Sequence, residues 1–345
     1  MKKSNRWAKR LRAGSWVIVR SKEEILATLD GDACIDNLPF QPEMFAYCGQ
    51  KMQVSKVAHK TCDNIKKTGG RKMESAFHLD GARCDGSLHG GCQADCVFYW
   101  KAEWLKPADA GDATEAASSE AACTEQDVLA RVRARGHENS DDPVWVCQTT
   151  SLYDATTLLH WWDGRQDVRD VTSGNHSAWH MIKLLSAAIY RKIVSIGIGY
   201  GLLVRIYNSF TGMTGGKPYP DIQGQIPDGG KTPTELLNLQ VGEWVEIKPG
   251  DEIAETLTTS GFNRGMRYDP EMLKYSGGRY QVEMRVDRLI DEITGKMVHI
   301  KNPCVQLSDV YCRAECTPMR LGCPRASNTY WREIWLRRVD GPEGD

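Results

Sequence analysis

The chain has 345 residues, 44 Lys and Arg against 45 Asp and Glu, and a formal net charge of −1. That length allows two or three domains with real cores, and the balanced charge excludes a polyanion binder working by bulk electrostatics, so nucleic acid is not an expected partner. The basic start MKKSNRWAKRLR runs into no apolar stretch of signal-peptide length, so a cytoplasmic location is expected. Thiols stay reduced there, and the twelve cysteines read as metal ligands or catalytic groups before disulfides.

Residues 1–107 are expected to form a first cysteine-bearing module. GSWVIVR alternates like a strand, and Ser21-Lys-Glu-Glu24 is a capping box that opens a short helix running to Leu29. A second strand is expected around Met52–Val57. Then come Cys62, Cys84, Cys92 and Cys96, with His59 and His89 close by in sequence. Residues 108–142 begin with a stretch of Ala, Ser, Glu, Asp and Gly that cannot bury enough surface to order itself, and read as a flexible linker.

Residues 143–237 read as a helical bridge. It holds Trp145, Trp161, Trp162 and Trp179, and a helical pattern from Ser177 to Tyr207 that Gly197, Gly199 and Gly201 weaken. Its most apolar part, Ile193–Val204, is shorter than the roughly 18 residues a membrane span needs. The stripe could rest on a membrane surface, with Lys183, Arg191, Lys192 and Arg205 as lipid contacts. A core helix with snorkelling basic residues is the favoured reading. Asp163, Arg165 and Arg169 lie beside the tryptophans, where an arginine could grip the carboxylate or phosphate of a small substrate; a structural corner is the competing reading. His176 and His180, four apart, read as an ordinary surface pair rather than a metal pair. Thr232-Pro233-Thr234-Glu235 looks like another helix start.

Residues 238–345 repeat the first module. A shift of 228 residues carries Gly14, Trp16, Val17, Pro42, Glu43, Met44, Tyr47 and Cys84 onto Gly242, Trp244, Val245, Pro270, Glu271, Met272, Tyr275 and Cys312. A shift of 231 carries Cys92, Tyr99, Trp100 and Trp104 onto Cys323, Tyr330, Trp331 and Trp335. Two homologous modules with one fold follow. Each is expected to be a small β-rich unit of SH3-like barrel type, giving an α+β protein whose modules are joined by the helical bridge.

The second module's thiols are Cys304, Cys312, Cys316 and Cys323. Four thiolates per module are what a 4Fe-4S cluster or a tetrahedral zinc site requires. The absence of paired C-x2-C spacing weakens zinc, and Gly86, Gly90 and Gly91 would let backbone approach a bulky cluster. Iron–sulfur is therefore preferred, with zinc as the alternative. His59, His89, Asp163, Arg165 and Arg169 are the candidate residues around the metal or for substrate. Cys34, Cys123 and Cys147 read as packing residues. No Walker loop, GxGxxG or GxSxG motif occurs, so a nucleotide-dependent or α/β-hydrolase enzyme is not expected.

The strings SKEEILATLD, HKTCD, RCDGSLHGGCQADC, WWDGRQDVRDVTSGN and CPRASNTYWREIWLRRV resemble a family of bacterial cysteine-rich proteins with an internal repeat. The resemblance spans nearly the whole chain outside the linker. It implies the layout above, a setting among biosynthetic genes, and family equivalents of Cys304, Cys312 and Cys323, with Cys316 particular to this chain. It implies no reaction. The expected function is an iron–sulfur enzyme or redox accessory protein acting on a small molecule or peptide. The alternative is a zinc-stabilised tandem scaffold binding a protein or RNA.

Overall fold

A computed structural model describes residues 7–108, 123–137, 140–160, 162–213, 219, 222–316 and 320–341. The fold mixes helices with several small antiparallel sheets, an α+β architecture. The chain divides into two compact units. Unit 1 comprises Met1–Met181, Arg288–His299 and Gly322–Ser327, and unit 2 the remainder. Most of the expected linker, residues 109–122 and 138–139, lies outside the described residues.

In unit 1 the main sheet is built from β1 (Trp16–Val19), β2 (Lys51–Val57), β3 (Ala76–Leu79), β4 (Trp100–Lys101) and β5 (Leu105–Pro107), in the order β4-β3-β2-β1-β5. After β1, the helix α1 (Lys22–Leu26) starts with the expected capping box: Glu24 N donates to Ser21 Oγ at 3.2 Å, and Ser21 N donates to Glu24 Oε2 at 2.8 Å. Val17 and Val19 of β1 point into a core with Ile25, Phe40, Val54, Trp100 and Trp104. Phe40 meets Trp104 edge-on at 5.2 Å. The unit also contains α2 (Glu125–Ala130) and α3 (Arg165–Thr172), and a separate three-stranded sheet of Lys60–Cys62, Gly70–Lys72 and Thr157–Leu159.

Unit 2 builds the same sheet from β6 (Trp244–Ile247), β7 (Arg279–Arg285), β8 (Cys304–Leu307), β9 (Trp331–Arg332) and β10 (Leu336–Arg338), in the order β9-β8-β7-β6-β10. The match extends to detail. Gln53 Nε2 donates to the Gly14 carbonyl at 2.9 Å, and Gln281 Nε2 donates to the Gly242 carbonyl at 2.9 Å. The register shift between Val54 and Lys56 recurs between Val282 and Met284. Tyr268 meets Trp335 edge-on at 5.3 Å, as Phe40 meets Trp104. Aromatic edge-to-face contacts at the same places show that the repeat preserves core packing as well as strand order. The unit's short helix α6 (Gly250–Ala254) starts from Pro249 without a side-chain cap, as the sequence requires.

Three expectations for the bridge differ from the structure. The apolar stripe expected in a core helix is exposed, and no residue of Tyr200–Met213 is buried. The single helix expected over Ser177–Tyr207 is two: α4 (Ala178–Val194) and α5 (Tyr200–Met213). Gly197 and Gly199 between them take φ values of 84° and 69°, which end one helix before the next begins. The helix expected after Thr232 does not form. The Leu237, Asn238 and Leu239 amides donate to the buried Glu333 carboxylate at 2.7, 2.9 and 3.1 Å, so a side chain satisfies them in place of a helical turn.

Buried histidines distinguish the repeats, His78 among them. His78 on β3 is fully buried where β8 carries Gln306. Its Nδ1 donates to the Phe98 carbonyl at 2.8 Å, and burial lowers its pKa to about 4. The unfolded chain then binds the extra proton first. Stability from this site is complete above the unfolded value of about 6.5 and is lost as pH falls toward 4, an effect of about 3 kcal/mol. Urea midpoints of the wild type should fall over that window, and His78→Gln should flatten the fall. An unchanged slope in the variant would exclude His78 as its source.

Candidate metal centre

The first module's cysteine loop leaves β3 and returns to β4. Cys84 N donates to the Cys96 carbonyl at 2.9 Å, closing its base. At its tip the Gly86 carbonyl accepts from His89 N and Gly91 N, both at 3.0 Å. The short 3-10 helix Pro42–Tyr47 presents Glu43 to this loop. Glu43 Oε1 accepts from Leu88 N at 3.2 Å and lies 2.6 Å from His89 Nδ1. His89 Nε2 lies 3.1 Å from the Val146 carbonyl, which can only accept, so that nitrogen carries a hydrogen and Nδ1 faces the carboxylate. Glu43 Oε2 is buried without a hydrogen-bond partner. Glu43, Cys84 and His89 place one donor atom each within 4.8 Å of the others, and no other group of three His, Cys, Asp or Glu residues does so among the described residues.

Three further thiols stand near this group. Cys92 Sγ accepts from Ile290 N at 3.3 Å. Cys147 Sγ lies 3.0 Å from Thr149 Oγ1. Burial pushes the Cys84 thiol up, and the Glu43 carboxylate pushes it further, with smaller contributions from Cys96 and Cys147. Burial also pushes Cys92 up, against hydrogen bonds from the Ile290 and Ala94 amides, with Cys147 and Glu43 adding to the rise. Cys96 is raised by burial against the opposing charge of Arg325, and Cys147 and Cys92 act on it as well. Cys84, Cys92, Cys96 and Cys147 are therefore electrostatic neighbours. Cys147 was expected to be a packing residue; no sequence motif carries it, and only the tertiary fold brings it here.

Cys62 and Cys323 lie beside a buried arginine in the same unit. Tyr99 Oη and Thr61 Oγ1 are 2.8 Å apart, and Cys323 Sγ is 4.0 Å from Thr61 Oγ1. Arg325, 5% exposed, gives Nη2 to Glu292, while its Nη1 is buried with no partner. The Glu292 carboxylate is the charge that faces its guanidinium, and Cys62, Tyr99 and Cys96 lie close to it. The repeat explains this meeting. Arg288–His299 is the second repeat's copy of the hairpin that begins at Lys60 in the first. Cys92 meets Ile290 of that copy, and its counterpart Cys323 meets Thr61 of the original.

The remaining second-module cysteines stay in unit 2, whereas Cys323 belongs to unit 1. Cys304 lies on β8 at the position of Ala76, and burial pushes its thiol up to about 12. Cys316 takes the place of Leu88: its amide donates to Glu271 as Leu88 N donates to Glu43. Burial, then the Glu271 carboxylate, raises the Cys316 thiol to about 12. Cys312 is half-buried next to Tyr311. The carboxylate that holds the cysteine loop is thus common to both repeats, while a histidine beside it occurs in the first alone, since the sequence has Thr317 opposite His89.

The other candidate residues sit elsewhere in unit 1. His59 Nε2 is 3.2 Å from Asp170 Oδ1, and Lys60 Nζ is 2.5 Å from Asp170 Oδ2, forming a buried ion network. Arg165 grips Asp163 with Nε and Nη2 at 2.7 and 2.8 Å, and these bonds hold the Asp163 carboxyl down to about 2. Asp163 does not cap the helix α3, whose N-cap Gly164 has no side-chain bond, and Trp162 is exposed. Trp161 lies outside the described residues. Arg169 lines a cavity of about 330 Å³ with Arg10, Arg12, Phe77 and Ser173. His176 and His180 stack at 5.1 Å, and burial lowers the His176 pKa to about 4.

Gly86 is the tightest point of the centre. Its φ is 68°, and a Cβ there would lie 2.0 Å from the Cys92 carbonyl oxygen. Its counterpart Ala314 takes φ 55° with a Cβ, so the second repeat accommodates the conformation. The close approach to Cys92 is what demands glycine. Gly86→Ala should displace Cys92 and cost at least about 2 kcal/mol in urea unfolding; a cost under half of that would show that the loop yields freely.

Compared with protein-family models, curated proteins and solved structures, the chain matches none.

Proposed function

We propose that unit 1 carries a cysteine-ligated metal centre, and that the chain is an iron–sulfur enzyme or redox accessory protein of a bacterial biosynthetic pathway. The observation behind this reading is the Glu43–Cys84–His89 group, whose donor atoms lie within 4.8 Å of one another, with Cys92, Cys96 and Cys147 as electrostatic neighbours. Four thiolates suffice for a 4Fe-4S cluster. The unpartnered Glu43 Oε2 and Arg325 Nη1 are polar atoms that a charged inorganic group would satisfy. The cavity at Arg169 suits a small carboxylate or phosphate substrate. The biosynthetic setting rests on the family resemblance, and the cytoplasmic one on the abundance of thiols; none of the twelve cysteines is in a disulfide.

A second reading has its own support. Glu43, Cys84 and His89 are a mixed O, S and N donor set of the kind zinc accepts, completed by one neighbouring thiolate. Zinc would make the protein a tandem scaffold for a protein or RNA partner. Each five-stranded sheet places its strands in the order five-one-two-three-four from one edge, with a 3-10 turn before the last, in keeping with an SH3-like barrel.

The deciding experiment is metal and acid-labile sulfide analysis of anaerobically purified protein, with its visible spectrum. Brown protein with matched iron and sulfide supports the first reading. Colourless protein with stoichiometric zinc supports the second. Protein with neither, even after reconstitution with iron and sulfide or zinc, would refute both.

A further inference from the structure

The α4–α5 hairpin of unit 2 carries a large apolar face that its own unit leaves uncovered. On α4, Ile182, Leu185, Ile189 and Ile193 recur at three- and four-residue intervals and are all exposed. On α5, Leu202, Ile206, Phe210 and Met213 do the same. Ile196 and Ile198, in the turn between the helices, are 65% and 80% exposed. The helices hold each other through a different face: Tyr190 Oη donates to the Leu203 carbonyl at 2.6 Å, and the Tyr190 and Tyr207 rings lie 5.6 Å apart. Single exposed apolar residues need no explanation, but two helical stripes joined by an apolar turn do.

Charge identifies what covers this face. Residues 182–213 contain Lys183, Arg191, Lys192 and Arg205 and no Asp or Glu. Arg191 is engaged with the Glu315 carbonyl at 2.7 Å, and the other three side chains are exposed. A second copy docking on this face would bring cations against cations with no acid to offset them. An anionic bilayer surface meets both features: it takes the isoleucines and phenylalanine at the acyl boundary and pairs the basic residues with phosphate headgroups. The helices are 17 and 14 residues long, and no described helix is long and apolar enough to cross a membrane, so such a hairpin would lie in the interface plane.

We propose that the α4–α5 hairpin seats the protein on an anionic phospholipid surface. The test is co-sedimentation of the full chain with phosphatidylglycerol–phosphatidylcholine vesicles and with pure phosphatidylcholine, at low and high salt. The wild type should pellet with the anionic vesicles and be released by salt. Ile189→Glu combined with Phe210→Glu, both at exposed positions, should weaken partitioning at least about ten-fold with an unchanged melting temperature. Lys192→Glu with Arg205→Glu should remove the preference for anionic lipid. Wild-type protein that stays in the supernatant with anionic vesicles at low salt overturns the proposal. So does a solution dimer that ignores vesicles and is split by the Ile189/Phe210 pair.

Discussion

Cys84→Ala is expected to abolish binding of the proposed metal in unit 1, leaving less than about a tenth of the wild-type content after anaerobic purification. Cys84 is the one thiol within 4.8 Å of both the Glu43 carboxylate and a His89 ring nitrogen, and it also neighbours Cys96 and Cys147. In the proposed centre, losing one of four anionic ligands would lower the apparent metal affinity steeply, because ligand binding and site formation are coupled. Cys147→Ala should have a similar effect, although no sequence motif contains it. Cys304→Ala and Cys316→Ala, in unit 2, should leave the content of the unit 1 centre unchanged. Glu43→Gln keeps a hydrogen-bond acceptor for Leu88 N but removes the charge facing His89, and should weaken affinity by about 10- to 100-fold. Full metal content in Cys84→Ala would eliminate this site.

The parts of the structure legible from sequence were those with local causes. The Ser21–Glu24 capping box, the strand over Met52–Val57 and the repeat itself come from spacing, and the structure reproduces each, down to the Gln53 and Gln281 bonds to Gly14 and Gly242. The helix after Thr232 failed because its amides are bound by Glu333, about a hundred residues on, and no local rule sees that partner. The split between α4 and α5 is half visible: glycine weakens a helix by composition alone, but the positive φ angles of Gly197 and Gly199 make a turn.

The candidate site was legible only by residue type. Cysteines, Glu43 and His89 are in plain view, but which thiols converge depends on the fold. Both repeats keep the glutamate that holds the loop, Glu43 and Glu271, so that carboxylate is first of all a structural device. What the first repeat adds is His89, Gly86 where the second has Ala314, and a cysteine delivered from residues 145–150. The two repeats share the frame, and the Glu43–Cys84–His89 donor group lies in unit 1.

Glu292→Ala should be the most damaging single change at a site outside the cores, costing about 3 kcal/mol or more in urea unfolding. Arg325 is almost wholly buried, its Nη1 has no partner, and Glu292 supplies the acceptor for Nη2. Removing the carboxylate leaves an uncompensated guanidinium beside Cys96 and Tyr99, whose ionisation burial opposes. The penalty is the stranded charge rather than the worth of the pair, and the double variant separates the two. Arg325→Met with Glu292→Leu should recover most of the loss, because apolar residues of similar volume replace a buried ion pair at little net cost. A double variant as unstable as Glu292→Ala alone would mean that the arginine is needed for its hydrogen bonds. A single variant as stable as wild type would mean that Arg325 already reaches solvent or another anion. The first of those outcomes would tie the folding of the Gly322–Ser327 segment, and with it Cys323, to the hydrogen bonds of Arg325.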